Sequence, residues 1–96
     1  MRFVNVRHKG LKGLIEQGDT RLIDSRYAKK TQYMITFLTL MSGEEELFAL
    51  NRWRVHQLKG TREGTWSFSV SNNWRLTIDV DVSGAIRNLD LEDYHD

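Results

Sequence analysis

The chain contains no cysteine and no proline. Without cysteine there can be no disulfide, no thiolate metal site and no thiol nucleophile. Without proline, every reversal of the chain must be made by Gly, Asn, Asp or Ser. No apolar run approaches the roughly 20 residues that span a bilayer, and the opening MRFVNVRHKG lacks the apolar stretch of a signal peptide. A soluble, cytoplasmic protein without a membrane partner is therefore expected. No Gly-rich nucleotide loop, nucleophile elbow or metal motif occurs, which argues against a small-molecule ligand. Its 96 residues suit one domain over 1–96, with most apolar side chains committed to the core.

A net charge of +1 says little about partners, but its distribution says more. Residues 1–30 carry eight Lys/Arg against three Asp/Glu, and residues 52–75 carry five against one. Residues 79–96 carry one Arg against six acidic residues, with a second acidic knot at Glu44, Glu45 and Glu46. A chain so divided can present a basic face while staying near neutral.

Residues 2–6 suit a short edge strand. Residues 8–17 place Leu11, Leu14 and Ile15 at helical spacing, with Gly18 as a stop and Gly10 and Gly13 as weak points. Asp19 or Thr20 can cap a second helix, expected over 24–41 from Tyr27, Met34, Leu38 and Met41. Residues 44–51 read as a connector with Leu47, Phe48 and Leu50 tucked beneath it and the three glutamates solvated. Residues 53–58 begin a sheet, 65–70 and 74–82 alternate as strands, and 85–92 return as the last. The expected fold is α+β: an N-terminal strand and two helices packed on one face of an antiparallel meander.

Register can be read in advance. If Trp66, Phe68 and Val70 share the buried face with Trp74, Leu76 and Ile78, then Val70 opposes Trp74 across the loop Ser71-Asn72-Asn73. Arg75 then lies on the other, bare face with Ser67, Ser69 and Thr77. His56, Lys59 and Arg62 fall in the same segment, and Asp93-Tyr94-His95 closes the chain. The tryptophans read as core, with Trp53 at a strand start open to either core or base stacking, and His8 reads as surface. Asp93 and His95 alone are too few ligands for a metal.

Three stretches, RHKGLKGLIEQGD, HQLKGTREGTWSFSVSNNWR and DLEDYH, together resemble the HigB-like killer toxins of the RelE/ParE superfamily, nearly end to end. The resemblance implies a RelE-like fold, with two helices on a curved antiparallel sheet. It further implies a ribosome-dependent endoribonuclease that cuts messenger RNA in the decoding site without a cofactor, neutralised by a HigA-like antitoxin with a helix-turn-helix domain. His56 and Lys59 stand in the family's HxLKG segment, Arg62 in the next loop, Arg75 in the NWR triplet, and Asp93, Tyr94 and His95 in the closing DYH. Of these, His56, Arg75, Asp93, Tyr94 and His95 are the implied catalytic set, with Lys59 and Arg62 as RNA contacts. The chain departs from the family in carrying Asn51-Arg52-Trp53-Arg54 where a Pro-Gly pair is frequent, and serines where a basic residue often precedes NWR.

Cleavage through the ribose 2′-OH needs a base for the 2′ proton, an acid for the leaving 5′ oxygen and cations for the phosphate. His95 or Asp93 suits proton abstraction, His56 is a candidate acid, Arg75 suits the transition-state charge, and Tyr94 can stack on a base or donate a hydrogen bond. The assignment of acid and base between the histidines is open. The alternative is a binding module of the same fold that cuts nothing, like a gyrase poison or a decayed toxin.

Overall fold

The structure, a computed structural model, describes residues 1–93. Helix α1 spans Lys9–Gln17, α2 spans Ser25–Leu40 and the short α3 spans Glu45–Ala49. Strands β1 (His56–Gln57), β2 (Trp66–Ser69), β3 (Trp74–Val80) and β4 (Ile86–Asp93) form an antiparallel sheet in the order β1-β2-β3-β4. The N-terminal segment runs parallel to β4 but pairs only at Phe3 with Ile86 and Val6 with Leu89. Among the described residues no helix is long and apolar enough to cross a membrane.

The helices cover one sheet face. Leu11 and Leu14 from α1, Met34, Ile35 and Leu38 from α2 and Leu47 from α3 join Trp66, Phe68, Leu76, Ile78, Leu89 and Leu91 in one buried cluster. Phe68 opposes Leu76 and Trp66 opposes Ile78, which is the register that the alternation requires. Ser69 opposes Arg75 and the Val70 amide donates to the Trp74 carbonyl, so the three-residue loop over 71–73 is also as expected.

Local chemistry explains where the boundaries differ from expectation. His8 is the N-cap of α1 and no mere surface residue: its Nδ1 accepts from the amides of Gly10 at 3.0 Å and Leu11 at 3.2 Å. Gly10 is required inside α1, because a Cβ there would lie 2.7 Å from the Leu22 carbonyl oxygen. The N-cap of α2 is Asp24, not Asp19 or Thr20. Ile23 is buried ahead of the helix, and Asp19 instead organises a turn by accepting from the Arg21 amide and guanidinium.

The connector over 44–51 contains α3, which buries Leu47 but leaves Phe48 exposed, with its ring set edge-on to Trp66. Its glutamates are more than solvated. Glu44 Oε2 accepts the buried Trp66 indole N–H at 2.8 Å, and Glu46 accepts from the amide and hydroxyl of Ser42.

Two irregularities shape the sheet. Ile86 and Leu89 are both buried although three residues apart, which a period of two forbids. A bulge absorbs the extra residue. The pairing shifts between Thr77 and Asp79, and Asn88 takes φ +55°, fixed by reciprocal hydrogen bonds with Asn5. At the other edge β1 starts only at His56, because Trp53 and Arg54 adopt φ of +53° and +49° and turn the chain.

Candidate functional site

The face away from the helices is polar, and its rows follow from register. His56 opposes Ser67, Ser67 opposes Thr77 and Thr77 opposes Asp90. In the neighbouring row Ser69 opposes Arg75, which opposes Glu92. Directly opposed residues share a face, so His56, Arg75 and Glu92 are gathered on one surface.

That surface is not bare. Gly60–Arg62 form a 3-10 turn after β1, from which Arg62 crosses to β4 and forks onto Glu92, Nη1 to Oε1 at 2.9 Å and Nη2 to Oε2 at 2.7 Å. Thr77 Oγ1 donates to the same carboxylate. Ser67 and Thr77 are each 1% exposed in the row the arginine crosses, and Ser67 Oγ has no hydrogen-bond partner among the described residues.

The Arg62 guanidinium, helped by Thr77 and by the charge of Arg7, holds the Glu92 carboxyl below its usual value of 4.5 despite desolvation. A group whose pKa is depressed by folding stabilises the fold above its unfolded value, and that contribution is lost as pH falls through the folded one. Glu92→Gln should therefore flatten the loss of stability below about pH 4.5 relative to wild type, as read from urea midpoints against pH.

Arg75 is half-buried and differently employed. Its Nη1 donates to Ser69 Oγ at 2.5 Å and to the Ser71 carbonyl at 3.3 Å, and among the described residues no carboxylate pairs with it. The serine-rich strand end fixes one nitrogen of the fork and leaves its remaining N–H groups for a ligand. Lys59 is exposed at the start of the 3-10 turn. His56 is exposed, and its Nδ1 lies 2.7 Å from the Arg54 carbonyl oxygen.

The two clusters seen in the sequence are brought only partly together. Asp93 opposes Trp74, so register sets it on the face opposite to Arg75 and Glu92, exposed at the end of β4. Tyr94 and His95 lie outside the described residues. Two participants escaped the sequence reading. Glu92 was hidden in the acidic tail, and its part appears only when β4 is laid beside β3. Arg7, exposed where the N-terminal segment flanks β4, belonged to a basic cluster that had not been placed against the sheet. Among the described residues, no three His, Asp or Glu side chains are grouped so as to hold a metal ion.

A polar sheet face carrying one tethered arginine, a lysine and a histidine suits phosphate recognition with proton transfer nearby. The sequence pattern described as the RelE-like toxin HigB of type II toxin–antitoxin systems matches residues 4–95. Endoribonuclease HigB of Proteus vulgaris is 38% identical over 91 residues, covering 93% of this chain and 95% of that protein. A YoeB/ParE toxin from Agrobacterium tumefaciens superposes over the full length of both chains with a TM-score of 0.59 at 17% identity, a likeness of fold. The chain therefore belongs to the HigB-like toxins of type II toxin–antitoxin systems, and its fold is the RelE-like one that the family shares.

Proposed function

We propose that this toxin, an endoribonuclease like its Proteus relative, cuts messenger RNA on the ribosome by acid–base attack of the ribose 2′-OH. The observation that carries the reading is Arg75, anchored by Ser69 on the polar face with no carboxylate partner among the described residues. A base, for which His95 is left because register sets Asp93 on the opposite face, takes the 2′ proton, the 2′ oxygen attacks the adjacent phosphorus, and the 5′ oxygen leaves with a proton for which His56 is the candidate donor. Arg75 meets the charge that grows on the non-bridging oxygens, Lys59 adds a point charge, and Tyr94 stacks on a base or donates a hydrogen bond. Arg62 reaches the RNA only by sharing or giving up Glu92. A HigA-like antitoxin with a helix-turn-helix domain is the inhibitory partner, and the cytoplasm, where translated messenger RNA lies, is the place of action.

Purified toxin, incubated with ribosomes paused on a defined message, should leave fragments with 2′,3′-cyclic phosphate and 5′-hydroxyl ends. Ends bearing 3′-hydroxyl and 5′-phosphate would exclude the 2′-OH as nucleophile.

One observation favours the other reading, a binding module that cuts nothing. Arg62 already has a carboxylate, so the face offers fewer uncompensated cations than the sequence promised. Growth arrest with intact messenger RNA would decide for it.

A further inference from the structure

The turn that delivers His56 to the polar face is built from two consecutive non-glycine residues with left-handed backbone, Trp53 and Arg54. Such residues persist only where their surroundings hold them, and a bulky side chain makes the conformation rarer still. The holding groups are visible. The half-buried Trp53 ring stands edge-on to Tyr33 at 5.9 Å and to Phe37 at 5.2 Å, with the Arg52 guanidinium 4.5 Å above it. Arg52 Nη1 also reaches Tyr33 Oη at 3.3 Å. The Trp53 carbonyl accepts the Ser69 amide at 2.7 Å, which ties the turn to β2. With Trp53 pinned on both sides, the next carbonyl, that of Arg54, faces the His56 imidazole at 2.7 Å from Nδ1.

A carbonyl oxygen can only accept, so Nδ1 must carry the hydrogen. The lone pair of neutral His56 is then on Nε2, which has no protein partner among the described residues. Free imidazole side chains favour the opposite tautomer. His8 supplies that opposite within the same chain, since its Nδ1 accepts two amides and its hydrogen must sit on Nε2.

We infer that Trp53 is a positioning residue for the cleavage reaction: by holding the left-handed turn it makes the Arg54 carbonyl lock His56 as the Nδ1–H tautomer, so that Nε2 is the atom that takes or gives the proton. The inference rests on the nuclease reading for its consequence, though not for its geometry. If His56 is the acid, its imidazolium loses the Nε2 proton to the 5′ oxygen and ends as the tautomer that Arg54 stabilises. If it is a base, Nε2 is already bare.

The test is nitrogen-detected NMR of the histidine rings in the free protein, held above the pH at which they titrate, with His8 as internal reference and His56→Gln for assignment. Wild type should show His56 protonated at Nδ1 and His8 at Nε2. Trp53→Ala should convert His56 to the Nε2–H form while His8 is unchanged, and should lower kcat about 10- to 100-fold with KM nearly constant, the usual scale for a misplaced catalytic group. Trp53→Phe, which keeps a ring against Phe37, should restore both. Should Trp53→Ala not fold, Tyr33→Ala, which removes one ring contact from an exposed position, should give a mixture of tautomers. His56 found as Nε2–H in wild type, or as Nδ1–H in the variants that lose the ring contacts, would overturn the inference. A correctly locked His56 in a protein that cuts no RNA would instead sink the nuclease reading and leave the positioning intact.

Discussion

Arg75→Ala should lower cleavage by about 10²- to 10³-fold, the usual cost of removing a preorganised group from a developing oxyanion, while leaving a folded protein. The separation follows from what Arg75 touches. Its own bonds go to one hydroxyl and one carbonyl at the end of β2, whose loss costs on the order of 1 kcal/mol. Glu92, which faces it across the strands, is already paired with Arg62 and hydrogen-bonded by Thr77, so the variant strands no buried carboxylate. Arg75→Lys should fall between the two, since it keeps the charge and loses the fork. Single-turnover cleavage on programmed ribosomes, set beside a thermal melt, separates the effects. A variant that fails to fold would show that Arg75 holds the sheet and is not reserved for a ligand, and a fully active one would remove it from the chemistry.

Phe68→Ala should do the reverse. Phe68 is fully buried at the middle of β2, opposite Leu76 and within the cluster contributed by all three helices. Truncating such a side chain costs about 3–5 kcal/mol, a large share of the roughly 5–15 kcal/mol available to a small domain. The urea midpoint should drop steeply, and toxicity should vanish because the protein unfolds. Trp74→Ala should cost less, since Trp74 at the start of β3 is only half-buried and opposes the exposed Asp93. Equal losses at the two positions would mean that the loop end of the β2–β3 hairpin is packed as tightly as its centre.

What the sequence disclosed was mostly what repeats along a strand or helix. The pairing of Phe68 with Leu76, and hence the side on which Arg75 emerges, follows from a period of two and one asparagine-rich loop. The same logic, carried one strand further, separates Asp93 from Arg75, but only once Trp74 is known to oppose Asp93 and the bulge at Asn88 has been counted. The fork of Arg62 onto Glu92 joins residues 30 apart, and no local pattern announces which of six acidic residues near the C-terminus an arginine will choose. Trp53 and Arg54 were harder still. Their left-handed backbone contradicts their own propensities and is imposed by Tyr33 and Phe37, which come from α2. His8 could have been found: a polar side chain placed directly before an amphipathic run is a capping signal, although histidine is an uncommon residue for it.

The measurement that bears most directly on the whole account is primer extension on messenger RNA after brief induction of the toxin, beside the Arg75→Ala variant. New ends should appear at codon-spaced positions confined to translated regions, absent from untranslated leaders and absent with Arg75→Ala. Growth arrest with unbroken messages, or ends scattered equally through untranslated RNA, would contradict it.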